Sequence, residues 1–62
     1  MWLARDKDGF LSAHSKKPTY GVYGWASYQG DKLGLPKSEF SEITFENSPV
    51  EVTSIKEVKI KD

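Results

Sequence analysis

The side chains best suited to chemistry in this chain are Tyr20, Tyr23, Trp25 and Tyr28, which follow Lys16 and Lys17. Aromatic rings beside paired lysines are the parts from which single-stranded nucleic-acid binders are built: bases stack on the rings and ammonium groups hold phosphates. The same rings are what a small β protein needs to fill its interior. They are also the usual anchors of a protein interface. Charge decides between the partners. Nine Lys and Arg balance nine Asp and Glu, whereas a nucleic-acid surface carries a basic field. The six residues are therefore read as a contact surface for another protein, and single-stranded nucleic acid is the alternative.

Other candidate chemistry does not hold together. Asp6-x-Asp8-Gly9 has the middle of a calcium loop, but Ala4 would stand at its first ligand position and Ser15 at its twelfth, where a bidentate Glu is required. Gly30 to Lys37-Ser38 ends like a phosphate-binding loop, yet Pro36 replaces the needed glycine. His14 is the only histidine and there is no cysteine, so no nucleophile–base pair or zinc set can be assembled. The sequence places His14 at a strand end on the surface. Glu39, Glu42, Glu46 and Glu51 make an acidic edge that would attract a basic partner, not a catalytic carboxylate pair. No catalytic, cofactor or metal residues are assigned.

The elements that would position the aromatic run are β. Trp2-Leu3-Ala4-Arg5 and Phe10-Leu11-Ser12-Ala13 flank Asp6-Lys7-Asp8-Gly9, a hairpin signal in which Asp6 accepts a backbone hydrogen bond and Gly9 takes the left-handed conformation. Residues 19–28 read as one aromatic strand, with Gly21 and Gly24 marking a bulge or sharp bend. Residues 29–37 read as a loop, and 36–40 as a single helical turn behind Pro36. Glu42–Glu46 alternates as a strand with Ile43 and Phe45 inward, and Val50–Thr53 alternates again. The pattern then breaks, which predicts a bulge near Ser54 or a short turn between two strands, with a frayed or helical tail as the alternative. The expected fold is mainly β, with about five short antiparallel strands in a meander or an open barrel of the Src-homology-3 type. An α+β fold with a C-terminal helix is the alternative.

Sixty-two residues form one small domain, 1–62, which buries only ~60% of its unfolded surface. Without cysteine no disulfide can brace it, and a homodimer is one remedy for a thin core. The charge is uneven. Residues 1–37 hold six cations against three carboxylates, and residues 38–62 hold three against six, as adjacent strands of one sheet would when they pair. No stretch is long and apolar enough for a signal core or a membrane span, and a cytoplasmic location is expected.

The chain resembles a family of small bacterial and prophage-borne proteins through Trp2-x-Ala4-Arg5-Asp6-x-Asp8-Gly9, Lys17-Pro18, Trp25 and Thr44-Phe45-Glu46-Asn47-Ser48-Pro49-Val50-Glu51-Val52. The resemblance implies a compact β-rich domain and an origin in a mobile element, and it carries over no activity, cofactor or catalytic residue.

Overall fold

A computed structural model describes residues 1–53. Within them the chain is mainly β, as its alternation predicts, and no helix forms. β1 (Trp2–Arg5) and β2 (Leu11–His14) pair antiparallel with Arg5 opposite Leu11. The turn between them obeys its sequence. Gly9 adopts φ +95°, and its N–H donates to Asp6 O at 3.0 Å. The side-chain bonding differs in detail: Asp6 Oδ1 accepts from the next residue, Lys7 N, at 2.7 Å, and the bond from two residues on belongs to Asp8, whose Oδ1 accepts from Phe10 N at 2.9 Å.

β3 (Thr19–Gly21) and β4 (Gly24–Ala26) form a separate two-stranded sheet. Residues 19–28 are thus not one strand. The two glycines mark a complete reversal, with Gly21 opposite Gly24 and only Val22-Tyr23 between them. β5 (Lys32–Leu35) lies inside the expected loop. It pairs with β2, where Leu33 and Leu35 meet Ala13 and Leu11. β6 (Val50–Glu51) pairs with the outer edge of β1. The main sheet has the order β5-β2-β1-β6 and is open, with no closure into a barrel.

Period two assigns its faces. Leu3, Leu11, Ala13, Leu33, Leu35 and Val50 share one face by register. Leu3, Leu11, Ala13 and Ile43 are its buried centre, with Leu35, Phe40, Val50 and Val52 around them. Residues 36–49 close this face without regular structure. The helical turn expected at 36–40 is one hydrogen-bonded turn, Glu39 N to Pro36 O at 3.1 Å, continued no further. The expected strand at 42–46 is also absent. Ile43 is buried as its alternation implied, but Thr44 and Asn47 bond each other's backbone through Oγ1 and Oδ1, which turns the chain before a ladder can form. The Ser48–Pro49 peptide is cis. The bulge near Ser54 and the C-terminal helix of the alternative fold lie outside the described residues.

Candidate functional site

The β3–β4 hairpin divides the six candidate residues into anchors and free side chains. Tyr20 and Trp25 are opposite each other and share a face. Their rings meet edge to face at 5.2 Å, and Phe45 joins them at 5.1 Å from Tyr20 and 6.3 Å from Trp25. Trp25 is 8% exposed, and its indole N–H donates to Arg5 O at 2.9 Å. Lys32 Nζ donates to Trp25 O at 3.0 Å and so ties β5 to the hairpin. Tyr20 OH donates to Asp6 Oδ1 at 3.2 Å. Burial first, and then the bonded Asp6 carboxylate, hold the phenol above its ordinary pKa, so it remains a donor. Gly24 sits at φ +106° against the other Asp6 oxygen, where a Cβ would collide with Oδ2. The hairpin is therefore fixed along its strands, up to the glycine that follows the tip.

Its tip points away. Val22 is 92% exposed and Tyr23 98%. Tyr28, 87% exposed, stands on the turn ending at Gly30, where a side chain would run into Ser27 Oγ and the Lys16 stem. Lys17 Nζ lies 5.4 Å over the Trp2 ring, so this lysine is partly engaged. The structure thus keeps Tyr23 and Tyr28 exposed, withdraws Trp25 into the packing, and leaves Tyr20 43% exposed with its ring against Trp25.

Arg5 organises residues 37–43, and its role was not foreseen. Its Nε donates to Ile43 O, one terminal nitrogen to Gly9 O and Lys37 O, and the other to Glu39 O and Phe40 O, all at 2.8–3.0 Å. Those are all five donors of a guanidinium. An open groove of about 470 Å³ runs past this cluster between Lys7 and Lys37, but Arg5 has no donor left for a ligand there. The signal lay in the register of Leu3 and Arg5. Period two puts both on the core face, where an arginine must be fully bonded.

His14 corrects the expectation of a surface residue. It is 0% exposed, with Ser12 Oγ 2.9 Å from Nε2 and no partner at Nδ1. Burial, and then the charge of Lys32, hold its pKa below the ordinary 6.5. The unfolded chain therefore takes up the proton first as pH falls. Stability contributed by neutral His14 is complete above about pH 6.5 and declines below it, by up to ~1.4 kcal/mol per pH unit, until the folded pKa is reached. Urea midpoints measured between about pH 7.5 and 5 should fall accordingly, and His14→Gln should flatten that slope. An unchanged slope in the variant would assign the loss to other groups.

Asp6 and Asp8 serve the turn as backbone acceptors. Among the described residues no three His, Cys, Asp or Glu side chains gather as a metal site, and no helix is long and apolar enough to cross a membrane. No protein-family model, curated protein or solved structure matches the chain.

Proposed function

We propose that the protein is a small non-enzymatic interaction module that docks on another protein through the Val22–Tyr23 tip. The observation that carries this reading is the near-complete exposure of Val22 and Tyr23 on a hairpin whose strands are cross-tied to the main sheet. A tyrosine offers a large amphipathic contact and loses little conformational entropy on binding. Neither tip side chain contributes to the described core, so the folded state gains nothing from their being apolar. The fixed strands keep the tip preorganised and lower the ordering cost of association. The module is read as cytoplasmic from its lack of cysteine and of a signal stretch, and as bacterial or prophage-borne from its resemblance.

The test is a tagged pull-down from a bacterial lysate, with and without nuclease, comparing the natural chain with a Val22→Ser, Tyr23→Ala double variant. The reading expects one protein that survives nuclease and is lost with the variant, while the variant's stability stays within about 0.5 kcal/mol per site. Equal capture by both chains would remove the tip from the contact. Recovery of nucleic acid that is sensitive to salt and nuclease would favour the alternative, in which Tyr23 and Tyr28 stack bases and Lys16 and Lys17 hold phosphates. Trp25 has no part in that alternative, because its indole is already bonded and packed.

A further inference from the structure

We propose that the free edge of β5 pairs with the same edge of a second copy, making a symmetric dimer about a two-fold axis at Leu33.

The ladder fixes which groups are available. Ser15 N donates to Asp31 O at 3.1 Å, so this is a hydrogen-bonded pair. The antiparallel alternation then makes Ala13–Leu33 and Leu11–Leu35 hydrogen-bonded pairs and His14–Lys32 and Ser12–Gly34 open ones. The N–H and C=O of Lys32 and Gly34 consequently point away from β2, and no partner meets them among the described residues. Two copies related at Leu33 set Lys32 of each against Gly34 of the other. Four backbone hydrogen bonds result, two at each pair.

Side chains agree with that register. Leu33 is 58% exposed, although it lies on the core face in the row Val50, Leu3, Ala13, Leu33. The axis places Leu33 against Leu33 of the second copy and carries the row unbroken through both. No like charges oppose each other, because Lys32 meets Gly34 and Asp31 meets Leu35. Edge strands are commonly guarded by a lysine. Here Lys32 is drawn off the edge, its Nζ bonded to Trp25 O and 5.8 Å over the Phe10 ring. Net charge is zero, so long-range repulsion does not oppose association. A four-residue edge buries less than about 1,200 Å², which makes this a weak dimer.

The test exploits a chain without cysteine. Leu33 pairs across an open position, where Cα atoms come to ~4.5 Å, within disulfide reach. Leu33→Cys should oxidise to a covalent dimer at least ten times faster than Val22→Cys, a fully exposed control on the hairpin tip. Sedimentation of the natural chain from about 10 to about 500 µM should show reversible dimerisation, the range a weak interface occupies. Leu33→Glu, which puts two carboxylates on the axis, should remain monomeric throughout with an unchanged circular dichroism spectrum. A natural chain that is monomeric at the highest concentration, or equal cross-linking of the two cysteine variants, overturns the proposal. The Val22→Ser, Tyr23→Ala variant should still dimerise, which separates this edge from the docking tip.

Discussion

Replacing Arg5 with alanine should abolish cooperative folding. A 62-residue domain holds only about 3–9 kcal/mol of net stability. Hydrogen bonds to a charged group contribute about 1.5–3 kcal/mol each, and Arg5 makes five of them, to Gly9, Lys37, Glu39, Phe40 and Ile43. Some of those carbonyls would rehydrate in the variant, since the Lys37 bond is exposed. Even at about 1 kcal/mol per bond the loss rivals the whole stability. Arg5→Lys separates charge from shape. A lysine has three donors on one nitrogen and cannot reach carbonyls spread around a planar fork. It should recover less than half of the loss. Urea unfolding followed by tryptophan fluorescence reads both variants. A lysine variant as stable as the natural chain would mean that charge alone, not the fork, holds residues 37–43.

The second large effect is expected at Trp25. Truncation to alanine removes a buried ring, at about 3–5 kcal/mol, and leaves Arg5 O without its indole donor. Tyr20 and Phe45 lose their common neighbour at the same time. Trp25→Ala should therefore be unfolded or at the margin of folding at 25 °C. Trp25→Phe keeps a ring but loses the N–H bond, a cost of about 1–2 kcal/mol, and should fold with a lowered midpoint. Amide hydrogen exchange adds a sharper reading: protection in β3 and β4 should fall before protection in β1 and β2. Unaltered exchange in Trp25→Phe would show that packing, without the Arg5 bond, secures the hairpin.

Local rules carried part of this architecture. The Asp6–Gly9 hairpin was legible because its turn chemistry and the flanking apolar runs on both sides agree. The mainly β class followed from aromatic content and alternation. What escaped depends on contacts distant in sequence. Residues 19–28 look like one strand because Tyr20 and Trp25 are both apolar and both β-favouring; only the reversal at Val22-Tyr23 puts them face to face. Lys32–Leu35 offers two leucines around a glycine and reads as a loop until β2 supplies a ladder. The opposite error arose at Ile43 and Phe45, where alternation was right about burial and wrong about extension. His14 was misplaced because a lone histidine carries no pattern, and its burial is imposed by β1 and β5 on either side. Of the candidate surface, Tyr23 and Tyr28 were identifiable as aromatic, but only the hairpin's handling of Trp25 shows which rings are spare.

The fork of Arg5 reads main-chain oxygens alone. No side chain between Lys37 and Glu39 supplies any of its acceptors. A saturation scan of this protein should accordingly be lopsided, with position 5 admitting almost no replacement while positions 37, 38 and 39 accept most residues other than proline. That loop can drift in sequence while its shape is inherited. Evolution could re-letter positions 37–39 of the surface as long as one codon in the first strand is preserved.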